Sequence, residues 1–485
     1  MVEPTFFWHD YETWGSDPRR DRPAQFAGIR TDLDLNIVDD HEPVVLHCEP
    51  APDCLPDPEA CLITGLVPQG LPDTIKEPEF FARIQAELGR PGTCGIGYNS
   101  RRFDDEVTRF GLYRNFHDPY AREWQNGNSR WDLIDVARAA YALRPEGITW
   151  PTHEDGTPSF RLTDLTAANG IGHENAHDAL ADVYATIAVA RMLRECQPQL
   201  LEYAFQNRAK PRLDSMFAHP DRPVLLHVSS MTPPSQGYIS PIVILARHPV
   251  VKTSYIAFDL RQDPEQVLRL DAESLANEVF KRWEDRDEDA TPVGLRQVAT
   301  NKFPFIAPGS MLDKRVAERH GLNPDEILRR RTRLLSAHGL VEKLRAVYTR
   351  PMLASPDADT ALYDGFISDT NRAVCNAVLK ADPESLHKLR FTDARLNTLL
   401  LRYRARNWPD TLTDDERRSW DDDRTARLVD GAGGHRTFAE VRAKIADLTA
   451  NRPLTARDQR LLALVEDWVD QAEGARASLA ITLKQ

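Results

Sequence analysis

Residues 5–13 read Thr-Phe-Phe-Trp-His-Asp-Tyr-Glu-Thr, an aromatic run that closes on two acids one residue apart. The apolar start is strand-like. Side chains alternate along a strand, so Phe6, Trp8, Asp10 and Glu12 share one face while Phe7 and His9 take the other. Two carboxylates spaced about 7 Å apart along a strand can straddle two cations about 3.5–4 Å from each other. The pair alone also fits a solvated edge strand.

Two later segments add to it. Gly97-Tyr98-Asn99-Ser100-Arg101-Arg102-Phe103-Asp104 follows a buried strand pattern at 93–98 and leads into a helical one at 103–113. Asp104 then lies near a helix start, pointing back to the sheet end, where it reads as a capping acid or a ligand. Asn175-Ala176-His177-Asp178-Ala179-Leu180-Ala181-Asp182 opens a long helical pattern over 178–193. On one helix His177 and Asp182 would diverge by about 140°. The spacing works better with His177 in the preceding loop, Asp182 one turn in, and Asn175 or Asp178 as N-cap. Four hard oxygen ligands and one imidazole suit metal-assisted phosphodiester chemistry.

The rest of 1–195 reads as an α/β unit. Strands are predicted at 24–31 and 43–48 around an acidic turn at Asp39-Asp40. Helices are predicted at 79–88, 131–143 and 162–168, with a loop at 144–158. Residues 205–222 read as a connector. Strands follow at 223–228, 238–246 and 255–260, then an acidic loop at 284–289 and two helices over 316–348 broken near Gly321. After Arg350-Pro351 the chain reads as helical, with amphipathic stretches at 386–402, 438–448 and 458–472.

At 485 residues the chain exceeds one ordinary core. Its six cysteines form no C-x-x-C pair and read as reduced thiols. No apolar run approaches the ~20 residues of a membrane span, and no secretory signal is visible, so a cytoplasmic location is expected. The net charge of -13 argues against nucleic acid at face value. The acidity is concentrated before about residue 198, among the proposed ligands, while 199–355 is slightly basic. Bound cations would cancel part of it locally.

D-x-E on the first strand, F-D after a later strand and H-x4-D on the last helix of this unit resemble the DEDDh 3′–5′ exonucleases. Further stretches resemble the bacterial exonuclease I family of single-strand exodeoxyribonucleases: 9–14, 21–26, 63–65, 101–108, 130–135, 142–147, 159–162, 175–186 and 402–408. The resemblance implies an α/β, RNase H-like exonuclease domain (1–197) on a mixed five-stranded sheet. An SH3-like β-containing domain (198–352) and an all-α C-terminal domain (353–485) would follow. It implies a hydrolase that releases 5′-mononucleotides from 3′ ends of single-stranded DNA, with a role in DNA repair. Asp10, Glu12, Asp104 and Asp182 match the metal ligands and His177 the general base. The implied cofactor is Mg²⁺, two ions, with Mn²⁺ as a substitute.

A single strand needs aromatic platforms and cations. The candidates are Glu12, Thr13, Trp14, Thr64, Phe103, Arg109, Tyr120, Trp124, Arg138 and Arg161, with Ile63 beside the terminal base. Lys314, Arg315, Arg319, Arg329, Arg330, Arg331 and Arg333 form a basic helix pair that reads either as a groove lining or as a solvated face. Arg144, in a Leu-Arg-Pro-Glu-Gly stretch, matches the pocket that receives the acidic tail of single-stranded DNA-binding protein. A monomer without membrane contact is expected. An exoribonuclease of the same superfamily and a non-catalytic single-strand-binding scaffold are the alternatives. The roughly 290 further residues favour a DNA enzyme over the small exoribonucleases, and the five intact site residues disfavour a scaffold.

Overall fold

The computed structural model describes residues 3–38, 42–173, 177–282, 285, 293–350 and 354–482. The turn predicted at Asp39-Asp40, the cap candidate Asn175 and nearly all of the predicted loop 284–289 lie outside them. The backbone packs into two compact units. The first comprises Met1–Ser129, His173–Tyr184 and Met352–Gln485; the second comprises Arg130–Gly172 and Ala185–Pro351. Among the described residues no helix is long and apolar enough to cross a membrane.

In the first unit, β1 (Thr5–Thr13) lies between β2 (Pro23–Thr31), antiparallel to it, and β5 (Thr93–Gly97), parallel to it. Beyond β2 come β3 (Val44–Cys48), antiparallel, and β4 (Thr74–Ile75), parallel to β3, giving the order β4-β3-β2-β1-β5. The alternation in β1 is as the sequence suggests. Phe6 and Trp8 meet edge to face on one side, while Phe7, His9 and Tyr11 surround Phe26 of β2 on the other. The Phe7 ring needs a glycine at Gly28, the cross-strand partner of His9, because a Cβ there would come within 2.3 Å of the ring. Helix α1 (Pro58–Thr64) was not predicted; α2 (Glu77–Leu88) buries Phe80, Phe81, Ile84 and Leu88 at helical spacing, and α3 (Asp104–Arg114) follows β5.

The C-terminal helices belong to this same unit. Helices Phe438–Asn451 and Ala456–Thr482 extend two of the predicted amphipathic stretches, Ala394–Asn407 covers only the later part of the predicted 386–402, Asp414–Leu428 was not singled out, and capping boxes at Thr413/Glu416 and Thr437/Glu440 start two of the four. Val441, Ile445, Val465 and Val469 form one core with Trp14, Leu55 and Leu62. Beside it lies a buried ion network. Arg406 holds Asp53 and Asp359 at 2.7 and 2.6 Å, and Arg427 holds Asp53, Asp357 and Asp359 at 2.7–3.0 Å. Arg402 and Arg22 also reach Asp359.

In the second unit, β7 (Leu225–Val228), β8 (Ile239–Arg247), β9 (Ser254–Asp259), β10 (Leu295–Ala299) and β11 (Phe305–Pro308) form an antiparallel sheet ordered β10-β9-β8-β7-β11. The sequence reading missed β4, β10 and β11. Three further expectations are corrected. Trp131 belongs to β6 (Ser129–Asp132), and α4 (Leu133–Leu143) starts only after Asp132, whose carboxylate accepts from the Ile134 N–H. The connector is largely helical: α5 (Leu162–Ala168) and α6 (Ala179–Cys196) are followed by α7 (Pro198–Asn207) and α8 (Lys210–Phe217). Residues 316–348 hold three helices, Lys314–Arg319, Pro324–Ser336 and Leu340–Tyr348, because Gly339 at φ 73° interrupts the last two.

Candidate metal centre

Every acid of the proposed ligand set lies in the first unit. Asp10 and Glu12 sit near the end of β1, just before a bulge between Glu12 and Thr13. Asp104 is the first residue of α3, and its Oδ1 accepts from the Tyr11 N–H at 3.1 Å. The helix start is thus tied to β1 at the residue between the two strand acids. Asp178 caps α6 by accepting from the Ala181 N–H at 3.1 Å, which puts Asp182 in the first turn. His177 precedes that cap at φ 69°, a left-handed conformation, and is exposed. Ligand atoms of Glu12, His177 and Asp182 all lie within 4.8 Å of one another.

The electrostatics bring Asp10 and Asp104 into the same cluster. Burial, then the charges of Asp104, Glu12, Asp182 and Asp178, hold the Asp10 carboxyl well above its usual range. Burial, then Asp182, Asp104 and Asp178, push Glu12 up to about 9. Carboxylates that repel one another in this way are the donor chemistry a hard divalent ion requires. The residues present therefore fit such ions.

Three contacts here were not foreseen. His173 Nε2 lies 2.5 Å from Asp182 Oδ1, with its side chain only 5% exposed. Asp178, expected as a cap, also adds its charge to the acid cluster. Gln25, the cross-strand partner of Glu12, bonds Asp178 and the Ala179 N–H. The second histidine of the same loop was a visible signal for His173; no local pattern marks Gln25.

The substrate candidates divide. Trp14 is 3% exposed and part of the apolar core with Leu62 and Val441, so it offers no open stacking face. Arg109 is buried and bonded to Glu123 at 2.7 Å, to Glu106 at 2.8 Å and to the Tyr363 hydroxyl at 3.1 Å. Its guanidinium is a structural cation, and it also stacks over the Tyr120 ring at 5.5 Å. Thr13 is buried, donating to the Gly15 carbonyl at 2.6 Å. Phe103 and Thr64 are half-buried, and Ile63 beside Thr64 is exposed. Trp124, 66% exposed, is an open aromatic platform.

In the second unit, Arg138 bonds Asp135 at 2.9 Å and lies over the rings of Phe160 and Tyr238. Arg161 is exposed, and Arg144 donates to the Leu143 carbonyl at 2.6 Å. The basic helix pair is not a free cationic lining. Arg329 pairs with Glu326, Arg330 donates to the Leu260 and Arg261 carbonyls, Arg331 to those of Arg222 and Asp221, and Arg333 pairs with Glu265. Lys314 and Arg315 face Glu318 and Glu146, and Arg319 stacks on Tyr141.

Comparison with known proteins gives the class first. Residues 7–190 match a family model described as Exonuclease, so the chain is an exonuclease, a hydrolase of phosphodiester bonds. Residues 208–350 match the Exonuclease I SH3-like domain and residues 356–472 the Exonuclease I C-terminal domain. The chain belongs to the exodeoxyribonuclease I family. It is 45% identical over 423 residues to exodeoxyribonuclease I of Escherichia coli, covering 86% of this chain and 88% of that protein. It is 43% identical over 434 residues to that of Haemophilus influenzae, covering 88% and 91%.

Among solved structures, Escherichia coli exonuclease I in complex with a dA16 oligonucleotide matches with a TM-score of 0.91, 41% identity and coverage of 97% and 100%. A zinc-ion-bound form of the same enzyme with single-stranded DNA matches equally, at 0.91, 41%, 97% and 100%. The ExoI/SSB-Ct complex matches at 0.89 and 40%, covering 97% of this chain and 100% of that one. The expected α/β exonuclease, SH3-like and helical order is therefore present.

Proposed function

We propose that this chain hydrolyses the 3′-terminal phosphodiester of single-stranded DNA and releases 5′-mononucleotides, with Asp10, Glu12, Asp104 and Asp182 holding two divalent cations. The convergence of Glu12, His177 and Asp182 within 4.8 Å carries this reading. Mg²⁺ is the proposed ion, with Mn²⁺ as a substitute. When bound, such ions supply Lewis-acid stabilisation of phosphoryl charge and a nucleophile usable at neutral pH. His177, exposed on its loop, accepts the proton that the attacking water loses. Buried Asp104, fixed by the Tyr11 N–H, and Asp182, bonded to His173, keep the oxygen donors oriented. Trp124 offers a stacking face for a base, and exposed Arg161 a partner for phosphate.

The DNA-bound and SSB-Ct complexes of the relative support two partners for this chain: single-stranded DNA and the tail of single-stranded DNA-binding protein, the latter at a pocket that includes Arg144. Domain limits of 1–197, 198–352 and 353–485, a monomeric state, a cytoplasmic location and a role in DNA repair belong to the same reading. The test is purified protein with Mg²⁺ on 3′- and 5′-labelled single-stranded DNA, blunt duplex and RNA. Label should leave the 3′ end of single-stranded DNA first, because duplex must melt at about 1.4 kcal/mol per base-pair step. Release from the 5′ end or equal rates on duplex would overturn the reading, and preference for RNA would make the chain an exoribonuclease.

A further inference from the structure

Gln25 is a buried amide on β2, 5% exposed, with no place in the mechanism so far. Its Cα is paired with that of Glu12 across the antiparallel β1–β2 ladder. Directly opposed residues project to the same side of a sheet, so Gln25 and Glu12 face the same way. The Gln25 Oε1 accepts from the Ala179 N–H at 3.2 Å, and its Nε2 lies 3.4 Å from Asp178 Oδ2. Ala179 is the first residue of α6 and Asp178 is its cap. The first N–H groups of a helix lack intrahelical partners, and this one is satisfied by the strand next to β1. The same amide therefore grips the first two residues of the turn that introduces Asp182.

We infer that Gln25 is a positioning residue: it clamps the start of α6 to the sheet beside Glu12 and so sets the Glu12–Asp182 separation across which a divalent cation binds. The residue type fits the task. An amide offers one acceptor to the N–H and one donor to the carboxylate without charge. A glutamate would add another negative charge to a cluster in which Asp10, Glu12, Asp104, Asp178 and Asp182 already repel. A smaller amide would not span from β2 to α6 at these distances.

This inference rests on the metal reading above, and the test separates the two. Gln25→Met keeps the side-chain volume and removes both hydrogen bonds. Mg²⁺ and Mn²⁺ are titrated against wild type and variant, reading thermal unfolding without DNA and, separately, turnover of labelled single-stranded DNA. Partners of metal ligands typically contribute 10–100-fold to metal affinity or activity. The variant should be folded without metal, should need at least about 10-fold more metal at half-saturation in both readouts, and should recover most of kcat at saturating metal, with KM for DNA little changed. The same metal midpoint as wild type in a folded variant overturns the inference, whether or not kcat falls. Absence of any metal-induced stabilisation in wild type overturns the metal reading instead. Should Gln25→Met fail to fold, Gln25→Ala gives the same metal midpoint comparison.

Discussion

Two clusters of acids in the first unit make opposite use of the same side chain. Around Asp53, Asp357 and Asp359 every carboxylate meets guanidinium groups from Arg402, Arg406 or Arg427. Despite burial, these arginines hold Asp53 and Asp359 well below the usual carboxylate range. Around Asp10 and Glu12, burial and the charges of neighbouring acids drive both carboxyls upward, while Asp182 also meets the His173 imidazole. One cluster is neutralised by the chain's own arginines, and the other keeps a mutual repulsion that the proposed cations would relieve. The contrast separates structural acids from functional ones more sharply than burial does.

The largest expected effect tests that division directly. Asp182→Ala should abolish hydrolysis while single-strand binding remains measurable in a gel-shift assay and the unfolding temperature stays near wild type or rises. Near wild-type turnover would remove Asp182 from the ligand set. His177→Ala comes next, with a loss of about 10²–10⁴ in rate, the usual range for a general base, and a flattened acid limb in the pH–rate profile. An unchanged profile between about pH 6 and 8 would reduce His177 to a loop residue.

Removing an arginine from the other cluster should do the reverse. Arg427→Met leaves Asp53, Asp357 and Asp359 short of a partner, and breaking a buried pair costs about 3–5 kcal/mol. Urea unfolding should show that loss, whereas turnover per folded molecule should stay within several-fold. A variant as stable as wild type would mean that the remaining arginines suffice.

The pH dependence should differ in sign between the clusters. Asp53 and Asp359 have lowered folded pKa values, so their stabilisation is present above the unfolded value near 4 and is lost as the pH falls below it. Glu12 has a raised one, so the site increasingly opposes folding as the pH rises from about 4.5, its ordinary value, to about 9. Metal binding relieves that opposition. The rise in unfolding temperature on adding Mg²⁺ should therefore be larger at pH 8.5 than at pH 6. A metal effect independent of pH would detach Glu12 from the cation site. The smallest effect concerns the exposed Arg329, which is paired with Glu326. Arg329→Gln should change stability by no more than about 0.5 kcal/mol and leave the salt dependence of DNA binding unaltered; a reduced slope would return that helix to the DNA path.

The placement of the proposed metal acids was legible because each sits in a short run whose local structure is legible too. The aromatic alternation of β1 fixes the face of Asp10 and Glu12, and the helix starts fix Asp104 and Asp182. Trp14 and Arg109 were misread because an aromatic or a cation looks the same in sequence whether it faces solvent or a tertiary partner. What claims Trp14 is Val441 and its neighbours, more than four hundred residues away. The connector was misread for a different reason. Pro198 and Pro211 occupy the first or second helical position of α7 and α8, where proline starts a helix rather than breaking one. Gln25 was invisible because its role exists only once β2 lies beside β1 and the start of α6 meets β2.

The ion network also bears on whether the exonuclease segment could ever be a separable module. Arg402, Arg406 and Arg427 come from the C-terminal helices, while Asp53 and Arg22 come from the segment that carries the metal acids. A version of the protein shortened before residue 353 would strand Asp53 without Arg406 and Arg427 and strip the apolar cover from Trp14 and Leu62. Lineages that inherit the first segment with these residues are therefore bound to inherit the last, and any pared-down nuclease built from it would first have to replace Asp53 and resurface the Trp14 face.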